Sequence, residues 1–261
     1  MFLWSIRTIT TCVLGFALAA CVLGPDPDDR QAEGSSGETG ALLFVASERD
    51  AVEVTSSADL ELGTGTNKAL TIEGWIRIDA EIAGAVISKR WTLDPAQTDY
   101  MLWVQPGAGL VWATGSAEDA CAWMVTDLPE LHTWQHVAMT LESSGAEEGH
   151  KAFFLNGVLT EECDYTHKGP AHDDDLLIGA AERVLLFHGV HDHFSGAIDE
   201  LHLNGAVLYR ESFEPDAHLS PNETSIAFWD FVLDEASELP DLSGHGHNGK
   251  VFGAQSISAL R

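Results

Sequence analysis

The chain has 261 residues, with 41 acidic side chains against 13 basic ones and a net charge of −28. A surface of that sign repels the phosphates of nucleic acids and anionic lipid headgroups, so both are disfavoured as partners, while divalent cations are attracted. Hydrophobic residues make up 45% of the sequence, enough for one sizeable core and against a wholly disordered chain.

The chain opens MFLWSIRTITTCVLGFALAAC. One cation, Arg7, precedes an apolar run over 9–20 that is too short to cross a bilayer as a stable helix, which predicts a secretory signal over 1–20. Leu18-Ala19-Ala20-Cys21 resembles the lipobox of bacterial lipoproteins. The resemblance implies cleavage before Cys21, lipidation of that cysteine and attachment to the cell envelope through two or three acyl chains. An ordinary signal cut after Ala20 is the alternative. Val22 stands where some lipoproteins carry an inner-membrane aspartate, so the same resemblance implies the outer membrane. Residues 21–40 are rich in Pro, Gly, Ser and acids and read as a solvated tether, leaving 41–261 as one domain.

That domain reads as strands. In ALTIEGWIRID, residues 69–79, Leu70, Ile72, Gly74, Ile76 and Ile78 fall on one parity and Thr71, Glu73, Trp75, Arg77 and Asp79 on the other. GAVISKRW, YMLWVQ, GLVWATG, TWQHVAMTLE and HKAFFLNGVLTEE follow as short β-branched or aromatic runs, then DLLIGAA and SGAIDELHL. Asn156-Gly157 and Asn204-Gly205 each carry the signature of a type I′ hairpin turn. No apolar 3.6-residue period lasts three turns, so the expected class is all-β: a two-sheet antiparallel β-sandwich. Cys12 leaves with the signal and Cys21 takes lipid; Cys121 and Cys163 remain. In an oxidising compartment they are expected to form a disulfide, with two buried thiols as the alternative.

In their order and spacing, ALTIEGWIRID, VISKRW…DYMLWV, TWQHVAMTLE…KAFFLNGVL, LLIGAA and FSGAIDELHLNGAVL resemble successive strands of the LamG-like jelly-roll domain, of the concanavalin A-like lectin and glucanase superfamily. The resemblance covers roughly 41–255. It implies a jelly roll, a binding rather than catalytic role, and a structural calcium ion held between the Asp-x-Ser-Gly loop and the Ile-Asp-Glu strand. By motif position the ligands are Asp199 and Asp241, with Asn248 and loop carbonyls beside them. The alternative is that DLSGHGHNG folds on its own Asx- and Ser-turn hydrogen bonds. The same loop spells G-x-G-x-x-G, but β-like KVFGAQSIS follows it rather than the helix a dinucleotide needs. An EF-hand fails as well, with Phe252 where a bidentate glutamate is required.

Trp103 and Trp112 sit one strand apart and are the candidates for stacking a pyranose if they line an open sheet face; packing between the sheets is the alternative. Trp75, Trp134 and Trp229 are expected in the core. His188, His191, Asp192 and His193 are a partial zinc set without a completing pair, equally read as a surface loop. Asp199 and Glu200, adjacent on a strand, point to opposite faces and do not make a hydrolytic pair. The expected function is therefore recognition of a glycan or of an extracellular or envelope protein by a membrane-tethered module. A purely structural lipoprotein is the second reading and a glycoside-processing enzyme the third.

Overall fold

The computed structural model of the protein describes residues 39–61, 69–89, 98–115, 119, 121–144, 148–165, 173–182 and 190–259. Cys21, His188, the signal and most of the tether lie outside them. Within them the chain forms two antiparallel eight-stranded sheets and no α-helix. Sheet A runs, in spatial order, β10 (Val158–Tyr165), β9 (Gly149–Leu155), β8 (Trp134–Ser143), β3 (Ala69–Ile78), β14 (Gly196–Asn204), β1 (Thr39–Phe44) and β18 (Gln255–Ala259), with β15 (Ser225–Trp229) also paired to β14. Sheet B runs β16 (Glu238–Leu239), β17 (Gly249–Phe252), β2 (Ala51–Val54), β11 (Leu176–Ile178), β4 (Gly84–Lys89), β5 (Thr98–Gln105), β6 (Gly109–Gly115) and β7 (Trp123–Thr126). Two short strands, β12 (Ala181–Glu182) and β13 (Val190–His191), pair apart from both. The sandwich is thus the all-β class the alternation predicts. The first strand starts at Thr39, two residues inside the expected tether.

Parity decides which side chains meet between the sheets. On β3, Ile72, Ile76 and Ile78 are buried in the main core, joined by Val52, Ile87, Tyr100, Trp112, Phe153, Ile198, Leu203 and Trp229 from the other strands. Trp229 is in the core as expected, but Trp75 and Trp134 are not. They occupy the opposite parity and lie half-buried on the outer face of sheet A, Trp75 edge-on to His136 and Trp134 beneath the Arg77 guanidinium.

Asn156 and Gly157 adopt φ of 50° and 73°, the expected I′ hairpin between β9 and β10. A Cβ on Gly157 would lie 2.0 Å from the Phe213 carbonyl oxygen, so only glycine fits there. Asn204-Gly205 does not make the second expected hairpin. Its asparagine is buried: Oδ1 accepts from the Ala206 N–H (3.0 Å) and the amide donates to Asn222 Oδ1 (2.9 Å). An Asx turn thereby sends the chain out of β14 and across the outer face of sheet A before it returns as β15. This crossing segment packs Tyr209 and Phe213 on Phe154 of β9 and holds His218 and Leu219 on Glu200 of β14, every residue of which is buried.

The Cys121–Cys163 disulfide is present, with Cα atoms 6.0 Å apart. Cys121 leads into β7, the edge of sheet B, and Cys163 lies on β10, the edge of sheet A, so the bond clasps the two layers along one side.

Candidate functional site

The closing loop between β16 and β17 answers to hydrogen bonds. Asp241 Oδ1 accepts from the N–H groups of Phe228 (3.0 Å) and Ser243 (2.9 Å), and Oδ2 accepts from the His247 N–H (2.9 Å) and the Ser243 hydroxyl (2.8 Å). Asn248 Oδ1 accepts from the Asp241 N–H (2.9 Å), and the Trp229 indole donates to the His247 carbonyl (2.8 Å). Gly244 and Gly246, at φ of 90° and 83°, make the two left-handed bends. Burial pushes the Asp241 carboxyl up, but these donors outweigh it and hold its pKa below the ordinary value.

Asp241 and Asn248 therefore lie together in the loop, joined by hydrogen bonds rather than standing as open calcium ligands. A carboxylate has about four acceptor positions, and the donors around Asp241 occupy them. Asp199 is not in this loop. It is buried in β14 opposite Trp75, and β15 runs between its strand and Asp241. As arranged, the three side chains do not fit a calcium cage, and among the described residues no three His, Cys, Asp or Glu side chains gather around a point that would hold a metal. Asp241→Ala is expected to cost about 2 kcal/mol, since three N–H donors lose their acceptor. The loss, measured by urea unfolding, should be the same in calcium and in EDTA; a loss confined to calcium-containing buffer would restore the ion.

The two candidate tryptophans face opposite ways. The β5–β6 register pairs Leu102 with Trp112 and Trp103 with Val111, so Trp112, only 1% exposed, points between the sheets beside Tyr100. It offers no ring face to a sugar, which corrects its assignment to ligand binding. Trp103 is on the outer face of sheet B, 8% exposed, with its ring 6.2 Å from that of Trp123. Trp123 is 41% exposed and Val125 beside it 43%. Nothing about ACAWMV singled out Trp123 in the sequence; only the pairing of β6 with β7, which sets Ala113 against it, brings it to Trp103.

The strand registers make one continuous row across this outer face: Lys250, Glu53, Leu177, Ser88, Met101, Ala113 and Trp123. Six strand spacings make it roughly 29 Å long. Midway, the Ser88 hydroxyl donates to the Ala180 carbonyl (3.0 Å) and Ala181 packs against Met101 and Ala113. This crossing divides the face into two openings. One is the Trp103–Trp123 pair. The other is a groove of about 330 Å³ at the β17–β2–β11 end, lined by Arg49, Ala51, Glu53, Leu177, His193 and Phe252.

Two facing antiparallel sheets with their strands in this order define a lectin-type jelly roll. The chain belongs to the Concanavalin A-like lectin/glucanases superfamily, whose Laminin_G_3 family matches residues 47–212. No curated protein is significantly similar to it in sequence. Among solved structures it resembles a candidate carbohydrate-binding protein from Bacteroides ovatus, at a TM-score of 0.64 and 17% identity over 86% of this chain. The chain spans 61% of that protein. A heptameric SAP-like pentraxin from Limulus polyphemus aligns at a TM-score of 0.46 and 15% identity, over 66% of this chain and 78% of its own.

Proposed function

We propose that this is a non-catalytic recognition module that binds a glycan on the outer face of sheet B. It is carried by a bacterial lipoprotein whose lipidated Cys21 and acidic tether hold the domain off the outer membrane. The observation that carries the reading is the Trp103–Trp123 pair, a large, rigid aromatic surface open to solvent at Trp123. The likeness to the Bacteroides ovatus protein supports a carbohydrate as the ligand. Binding without hydrolysis is favoured by the fate of the acids on β14. Glu200 sits at a bulge with φ of 49°, where its carboxylate accepts from the Leu219 N–H (3.0 Å) and pairs with His218 (3.1 Å), anchoring the crossing segment. An envelope protein is the other class of ligand.

The test is a glycan array probed with the disulfide-bonded domain and with Trp123→Ala. Trp123 is exposed, so the variant should melt with the parent while its glycan affinity falls at least tenfold. A folded parent that binds no glycan overturns the reading.

A further inference from the structure

The second opening on sheet B gathers, among the described residues, positive charge that no carboxylate pairs. Six lysines or arginines fall among the described residues. Arg77 pairs with Asp79 (2.8 Å) and Arg210 with Glu142. Lys89 donates to Ser56 and the Asp174 carbonyl, and Lys151 is buried against Thr114. Only Arg49 and Lys250, of these six, make no ion pair or hydrogen bond through their side chains; Arg49 lines this groove, and Lys250 stands beside it, opposite Glu53 and against Phe252. Arg49 is exposed on its wall, and Lys250 Nζ lies 4.9 Å from the centre of the Phe252 ring. In a chain of net charge −28, two uncommitted cations beside one cavity mark a place where an anion is attracted against the general field.

The other lining groups narrow the class. Phe252 is 40% exposed and Leu177 forms part of the floor, so the site offers an apolar face. Glu53 is an acceptor only, and its charge opposes a doubly charged phosphate. His193 contributes a wall: its Nδ1 donates to the Asp50 carbonyl (3.1 Å), and its Nε2 is buried away from the opening. Arg49, Glu53 and the Phe252 ring lining about 330 Å³, with Lys250 alongside on β17, match a ligand with one carboxylate, hydroxyls and an apolar ring face. We propose that the groove binds a uronic acid residue of an acidic glycan, with its carboxylate on Arg49 and Lys250, a hydroxyl on Glu53, and a ring face on Phe252.

This rests on the glycan-binding reading above, and the two are separable by matched sugars. Oligosaccharides ending in glucuronic or galacturonic acid differ from those ending in glucose or galactose at one carbon, carboxylate against CH₂OH. Calorimetric titration of the parent should show at least tenfold tighter binding of the acidic member of each pair, weakening as salt is raised. In Arg49→Gln/Lys250→Gln the preference should vanish while the melting temperature stays within about 2 °C, both residues being exposed. A parent that binds both members equally overturns the inference and leaves the reading standing. Binding of neither overturns both. A preference that survives in the double variant removes it from this groove.

Discussion

Replacing Cys121 and Cys163 together by alanine is expected to destabilise the domain by about 4 kcal/mol and lower its melting temperature by roughly 10 °C. The bond closes a separation of 42 residues, and loop-closure entropy for a span of that length gives this magnitude. The cross-link also has a local effect. The Cys121 carbonyl accepts from the Lys151 ammonium, which is wholly buried, donates to Thr114 (2.7 Å) and faces the Tyr165 ring. Burial pulls the Lys151 pKa down to about 8, with Asp119 and Glu161 opposing it. Parting β7 from β10 would admit water to this ammonium, so its titration should return toward the ordinary lysine range in the variant. A double variant that melts within 2 °C of the parent would show that the β7–β10 edge holds without its clasp.

Glu73→Ala is expected to cost about 4 kcal/mol, the cost of breaking one buried charged network from its centre. The carboxylate is 3% exposed on the outer face of sheet A. It accepts from the Tyr209 hydroxyl (2.7 Å), sits 3.1 Å from His202 Nδ1 and lies 3.5 Å from His136 Nε2. Removing it leaves three polar groups beneath the crossing segment without their acceptor. Glu73 also makes stability depend on acid. Burial pushes its pKa up, but His136, His202 and Tyr209 outweigh that and bring it to about 2, from 4.5. The folded pKa is below the unfolded one, so the contribution is complete above pH 4.5 and is lost as pH falls toward 2. Urea unfolding from pH 6 to pH 2.5 should show a decline in the parent that Glu73→Gln flattens by up to about 3 kcal/mol. An equally steep decline in both would place the acid sensitivity elsewhere.

Strand alternation was readable because a residue's parity says which face it takes, and β3 places Ile72, Ile76 and Ile78 inward as its pattern requires. The same parity carried Trp75 outward with Glu73 and Arg77; hydrophobicity alone assigned it to the core, and pattern was the better guide. Trp103 and Trp112 lie on separate strands, so their relative facing depends on the register of the β5–β6 hairpin, which composition does not determine. The groove is less legible still. Arg49, Glu53, Leu177, His193 and Phe252 come from separate elements and become neighbours only through pairing across sheet B. Glu73, His136 and His202 each look like the wet side of a strand, because the crossing segment that buries them has no period to announce it.

The pairing of β1 with β18 sets Thr39 against Ala259, and β17 likewise closes on β2. The first two strands of the described residues are thus completed by the last two. Until β17 and β18 dock, those edges of β2 and β1 are bare, and unpaired edges invite association with other chains. Closure of both sheets therefore waits on contacts between segments about two hundred residues apart, the slow kind of pairing to form.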